Sequence, residues 1–194
     1  MPKEIIFATG NKGKVITLQH HADRQGIDIR IIQQSLDLLE PQADTAKEVA
    51  LSKALQAYAQ LKRPVLVDDS SFHIAALGGF PGPYIKYMLT TIGVEGIIDF
   101  MRGKKERRAY FLSSLVYIDE LGKPTSFDGA PYEGVITHEI DNVTDESAWS
   151  DLYKIFIPVR SDKTLARMTH DDRARIDKDR VSAYASFCEW INNK

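Results

Sequence analysis

The sequence holds a single cysteine, Cys188, so no internal disulfide can form. Its place in the apolar stretch Ala183 to Ile191, with no histidine paired to it, reads as a small core residue rather than a nucleophile. Long apolar runs are also missing: none approaches the ~18 residues that a membrane span needs, so no membrane partner is expected. Excess charge of one sign is absent as well. Twenty-five Lys+Arg stand against 27 Asp+Glu for a formal net charge of −2, which excludes the basic surface of a protein that holds a nucleic-acid polymer. Any phosphate must therefore be held locally. There is no internal repeat, low-complexity tract or linker. The chain opens directly on Ile5-Ile6-Phe7-Ala8, without the charged, apolar and cleavage regions of a secretory signal, and a cytoplasmic location is expected. At 194 residues the chain suits one domain, 1–194, of two lobes around a cleft.

What is present is an alternation of strand and helix signals. A strand at 4–8 runs into Thr9-Gly10-Asn11-Lys12-Gly13-Lys14 and then a helix over 15–25. Ile29 and Ile31 alternate with polar neighbours in a second strand at 28–33. Asp44-Thr45 offers an N-cap to a helix reaching Leu61, with Val49, Ala50, Ala54, Ala57 and Leu61 as its apolar stripe. Val65-Leu66-Val67 is a short buried strand ending at Asp68-Asp69-Ser70-Ser71. Leu77 to Pro83 is too rich in Gly and Pro for a regular element, and helices follow at 84–92 and 94–101. Strand-like segments at 110–118 and 125–137 flank a turn and predict a hairpin. The tail is charged from Ser161 to Arg180 and ends in an amphipathic helix with Val181, Tyr184, Phe187, Cys188 and Ile191 at helical spacing.

Two places carry chemistry. A strand–loop–helix turn exposes the first amides of the helix, and the helix dipole adds positive charge there, so phosphate is its natural ligand. Gly10 and Gly13 allow close backbone approach, Thr9 and Asn11 offer hydrogen bonds, and Lys14 supplies a full charge. The spacing is not that of a Walker loop, and the same residue types also make ordinary surface turns. In the second place, the adjacent carboxylates of Asp68 and Asp69 repel unless a cation or proton relieves them. A divalent metal would do so, with Glu48 as a third acid. The alternative is that the pair simply makes a turn or helix cap after the strand. Glu48 and Lys53, five residues apart on one helix, lie about 140° apart around it.

Four segments together resemble the inosine/xanthosine triphosphate pyrophosphatase family in order and spacing. They are Thr9-Gly10-Asn11 through Lys14, Glu48 through Lys53-Ala54, Val67-Asp68-Asp69-Ser70, and Ala76 through Lys86. The likeness extends over roughly the first three quarters of the chain, to Glu133-Gly134-Val135-Ile136. It implies an α/β fold with an elongated mixed sheet, flanking helices and two lobes around a central active-site cleft. It further implies a homodimer and a Mg2+-dependent (alternatively Mn2+-dependent) release of pyrophosphate from a nucleoside triphosphate. By the same resemblance Thr9, Gly10, Asn11, Lys14 and Ser70 contact the substrate, and Lys14 and Lys53 supply charge. Glu48, Asp68 and Asp69 serve the metal, and Asp69 orients or deprotonates the attacking water.

The wording of the family departs after that. Where a Phe-Gly-aromatic-Asp-Pro segment stacks on and reads the purine, this chain has Ser147 through Pro158. Trp149 is a candidate for the stacking ring and Asp151 for the base-reading carboxylate, against the alternative that Trp149 is an ordinary core or surface aromatic. Lys163-Thr164 keeps the family's Lys-Thr, whereas Asp177-Lys178-Asp179 replaces Ser-His-Arg. Lys178 or Arg180 could take over base contacts, or these charges pair on a solvated helix face. The expected activity is a house-cleaning hydrolysis of deaminated purine triphosphates (ITP, dITP, XTP). The same chemistry on another base is an alternative, as is a nucleotide-binding protein without turnover.

Overall fold

The computed structural model describes residues 2–143 and 148–194. Ser147, the first residue of the expected base-recognition stretch, lies outside the described residues. The fold is mixed α/β, and its contacts divide the chain into two compact units. One comprises residues up to Ser70, Ser113–Ala130 and the tail from Val181; the other comprises Ser71–Leu112 and Pro131–Arg180.

In the first unit, β1 (Lys3–Ala8) pairs in parallel with β2 (Ile29–Gln34) along its whole length, and with β3 (Val65–Ile74) through Phe7 and Leu66. α1 (Lys12–Arg24) connects β1 to β2, and α2 (Ala46–Leu61) connects β2 to β3. The later half of β5 (Arg108–Ile118) forms the expected hairpin with β6 (Pro124–Asp128). Ala50, Ala54 and Ala57 of α2 are fully buried against Ile6, Val65, Val67, Val116 and Ile118. α6 (Ala183–Asn192) buries Tyr184, Phe187, Cys188 and Ile191 as its spacing predicts. Val181 does not join them: it precedes the helix and is 61% exposed.

In the second unit, β3 continues past Ser71 and pairs with the two-residue β4 (Pro81–Gly82), while the first half of β5 pairs antiparallel with β7 (Tyr132–Ile136). β7 in turn pairs with β8 (Phe156–Pro158). α3 (Ile85–Thr91), α4 (Gly93–Phe100) and α5 (His170–Ile176) complete it. Its core is aromatic: Phe72, Phe111 and Phe156 pack at centroid distances of 4.4 to 5.8 Å. Burying each such ring contributes about 1.5–3 kcal/mol.

The stretch Leu77 to Pro83, expected to hold no regular element, contains β4, because Pro81 and Gly82 pair with His73 and Phe72, and three further expectations change. α1 begins at Lys12 rather than 15 because Asn11 caps it, its Oδ1 accepting from Gly13 N at 3.0 Å. The segment 125–137 is two strands, not one. Gly129 N donates to Ser113 O and Ala130 N to Val181 O, Pro131 has no N–H to give, and the ladder breaks there. β6 and β7 consequently pair with different halves of β5. β3 extends to Ile74, so Asp68 and Asp69 sit inside a long strand and not at its end.

Candidate active site

That last correction determines the geometry. Successive side chains of a strand point to opposite faces, so Asp68 and Asp69 have different surroundings although they are neighbours in sequence. Asp68, whose side chain is wholly buried, has Lys14 Nζ of α1 ion-paired to Oδ1. The hydroxyl of Tyr184, from α6, donates to its Oδ2 at 2.6 Å. Asp69 turns to α2, where Lys53 Nζ lies 2.9 Å from its Oδ1, and Glu40 also reaches Lys53 at 3.3 Å. Two lysines on two helices thus neutralise two carboxylates. A buried carboxylate left alone would cost several kcal/mol, and each of these has its counterion.

Burial pushes the Asp69 carboxyl above its ordinary value, more than the nearby Lys53 and Lys14 charges pull it down. Burial works to lower the Lys53 ammonium, but the Asp69 charge and hydrogen bond outweigh it and the net direction is up. Lys53 therefore stays a cation beside a carboxyl that gives up its proton reluctantly.

The first loop is shaped by its own side chains. Thr9 Oγ1 accepts from Asn11 N at 3.1 Å while Asn11 caps α1, which leaves the first turn of a 13-residue helix directly after the strand. Gly10 is exposed, and Gly13 is buried within the helix. Thr9, Gly10, Asn11 and Lys14 are thus brought together at one helix N-terminus, and through Lys14 they are connected to Asp68. Ser70 exchanges a hydrogen bond with Ser113 at 3.2 Å.

Glu48 has a different setting. It is N3 of α2 and forms a capping box, accepting from Thr45 N at 3.0 Å and Thr45 Oγ1 at 2.8 Å while Thr45 Oγ1 accepts from Glu48 N. Among the described residues, no group of three or more His, Cys, Asp or Glu gathers around a common point. Asp68 and Asp69 carry the hard carboxylate oxygens that a divalent ion prefers, Asp68 beside Lys14 of α1 with both oxygens taken and Asp69 beside Lys53 of α2. Glu48 has the same chemistry but is committed to its cap.

The residues expected to read the base all belong to the second unit. Trp149 is half-buried, packs near Tyr153 at 6.5 Å, and with Val143, Ala148, Ser150, Asp151, Lys154 and Ala166 lines a cavity of about 300 Å3. Asp151 is exposed and paired with Lys154 at 2.6 Å. Lys163 and Lys178 are exposed. Asp177 pairs with Arg180, whose guanidinium lies 4.9 Å from the Tyr132 ring centroid, and Arg173 lies at the same distance from Tyr153. Trp149 and Asp151 thus share one cavity, whose lining among the described residues does not include Lys163 or Lys178.

Sequence reasoning missed Tyr184 as a partner of Asp68. A signal existed: a tyrosine in a buried helical stripe must find a partner for its hydroxyl, and a buried aspartate is such a partner.

The Ham1 family model matches residues 5–190, and the chain belongs to the Ham1 family. It is 36% identical over 190 residues to the dITP/XTP pyrophosphatase of Methanopyrus kandleri, covering 98% of this chain and 97% of that protein. It is 34% identical over 187 residues to that of Hyperthermus butylicus, at 96% and 94% coverage. In fold it is similar to the Staphylococcus aureus Ham1 protein, with a TM-score of 0.76 at 21% identity over 98% of this chain and 99% of that one. A HAM1 protein from Coxiella burnetii matches with a TM-score of 0.76 at 22% identity, covering 98% and 97%.

Proposed function

We propose that this protein hydrolyses nucleoside triphosphates to the monophosphate and pyrophosphate, acting on deaminated purines such as dITP, XTP and ITP. The observation that carries the reading is the crossed pair of ion pairs: Lys14 on Asp68 and Lys53 on Asp69, set behind a capped helix N-terminus. The names of its relatives, which act on dITP and XTP, support the substrate class.

In this mechanism Thr9, Gly10, Asn11 and the first amides of α1 hold the phosphates, with Lys14 and Lys53 countering their charge. Asp69 orients the attacking water and takes its proton. A carboxyl that burial pushes above its ordinary value is suited to accepting a proton, and Lys53 lies 2.9 Å from it as its counterion. Attack at the α-phosphorus then needs positioning and charge stabilisation, with no covalent intermediate. Asp69 would hold a divalent ion, Mg2+ by preference or Mn2+, with Glu48 joining on release of its cap and Asp68 only on giving up Lys14, since both of its oxygens are taken. When bound, that ion supplies charge neutralisation on the phosphates. A homodimer working in the cytoplasm is part of the same reading, and sedimentation measures the dimer.

A second reading keeps the chemistry and changes the base. It is favoured by Asp151 being paired with Lys154 and by Asp177-Lys178-Asp179 standing in place of Ser-His-Arg. One assay separates the two: purified protein with Mg2+ against ITP, XTP, dITP, GTP, ATP, dTTP and UTP, with pyrophosphate detected. Preference for the first three supports the deaminated-purine reading, preference for another triphosphate supports the second, and silence throughout overturns both.

A further inference from the structure

We infer that Tyr184 is a positioning residue for the reaction: its hydroxyl, delivered from the C-terminal helix, fixes the orientation of the Asp68 carboxylate on which Lys14 and the phosphate-binding turn depend. This role rests on the pyrophosphatase reading above. The Asp68 side chain has no exposed surface, and its two oxygens are taken by two different elements. Lys14 on α1 takes Oδ1, and Tyr184 on α6 takes Oδ2 at 2.6 Å, a short contact of the kind made to a charged acceptor. A carboxylate held at one oxygen can still swing about its last torsion, which is broad for aspartate; held at both, it cannot. Lys14 is thereby given a fixed anchor in place of a moving one.

Tyr184 is itself held. It is 2% exposed, and the His21 ring of α1 stacks on it at 5.9 Å with the planes only 15° apart. α1 therefore meets the phenol from one side while sending Lys14 to the same carboxylate. The phenol, the imidazole and the ammonium form one assembly around Asp68, joining residues 116 and 54 positions from it in sequence.

Tyr184→Phe removes one oxygen and keeps the ring, its burial and the His21 stack. With ITP and Mg2+, kcat should fall about tenfold or more while KM stays within about twofold, because Lys14 keeps its charge and its pairing with Asp68 Oδ1 and only the orientation of the carboxylate is loosened. The melting temperature should fall by less than about 5 °C. In an Asp68→Asn background the same change should cost nothing further, since Tyr184 acts only through that carboxylate. Wild-type protein silent on every triphosphate would overturn the pyrophosphatase reading, and this role with it. An active wild type with Tyr184→Phe within about twofold in kcat would overturn the role alone. So would a large melting shift with kcat and KM degraded together, or an undiminished loss in the Asp68→Asn background. Should Tyr184→Phe not fold, His21→Ala, which loosens the phenol without touching the carboxylate, carries the test: lowered kcat with unchanged KM is expected, and unchanged kcat overturns the role.

Discussion

The two units hold their charges in different ways. In the first, polar side chains are buried and paired over long stretches of sequence: Lys14 to Asp68, Tyr184 to Asp68, Lys53 to Asp69. In the second, the residues assigned to the base find ion-pair partners mostly within a single turn or stand in solvent, although Arg180 also lies over the Tyr132 ring. Asp151 to Lys154 and Asp177 to Arg180 are each three apart, and Lys163 and Lys178 are exposed. Breaking a buried pair leaves an uncompensated charge and costs about 3–5 kcal/mol, whereas an exposed pair contributes about 0–1. The arrangement assigned to the triphosphate is therefore fixed by packing from several elements. The one assigned to the base rests more on pairs between sequence neighbours, and its Asp151–Lys154 pair is largely exposed.

The largest effect should come from the first unit. Asp69→Asn keeps the shape and a hydrogen bond to Lys53 but removes the base, and turnover should fall by about 10²–10⁴ with triphosphate binding retained. Calorimetric titration with ITP alongside the pyrophosphate assay checks it; substantial remaining turnover would remove Asp69 from its role. Next comes the core of the second unit. A Cβ on Gly134 would collide with the Ile157 carbonyl oxygen and the Phe156 ring, across the β7–β8 ladder. Gly134→Ala should cost about 3 kcal/mol and lower the melting temperature by several degrees. An unchanged melting curve would show that β8 yields to the added methyl, so that the second unit is soft in its core as well as on its surface.

The same contrast governs what the sequence disclosed. Elements with local signals were legible: Thr45 as the cap of α2, the alanine stripe beneath it, the β5–β6 turn, the buried face of α6. The charged turn and the aspartates were legible as residue types. What stayed hidden were facts of strand phase and length. That β3 runs on to Ile74 depends on pairing with β4, which lies beyond the Gly-Gly turn, and no local pattern encodes it. Because β3 runs on, Asp68 and Asp69 look to opposite sides, and the expected triad with Glu48 resolves into two lysine pairs and a capping box. The tail from Ser161 to Arg180 was legible only as charged; it contains α5, whose capping box at Thr169 and Asp172 replaces the usual Glu with a shorter acid.

A third prediction sharpens the role of the first loop. Lys14→Ala removes both the charge for the phosphate and the anchor of Asp68, so KM should rise and kcat fall together, about tenfold in each. Steady-state kinetics on ITP reads both, and an unchanged profile would reduce the loop to a turn.

The smallest effect belongs to Trp149. It lines the cavity of about 300 Å3, packs half-buried against the core of the second unit, and has its ring centroid 6.5 Å from that of Tyr153. If it stacks on the base, Trp149→Ala should weaken ITP binding by about 1 kcal/mol, roughly fivefold, and leave the affinity for inorganic triphosphate unaltered. Equal losses for both ligands would mean that the ring supports the second unit without reading the base. No loss for either would leave Trp149 as an aromatic without a role toward the base, and base recognition would then have to be sought among other residues of the second unit.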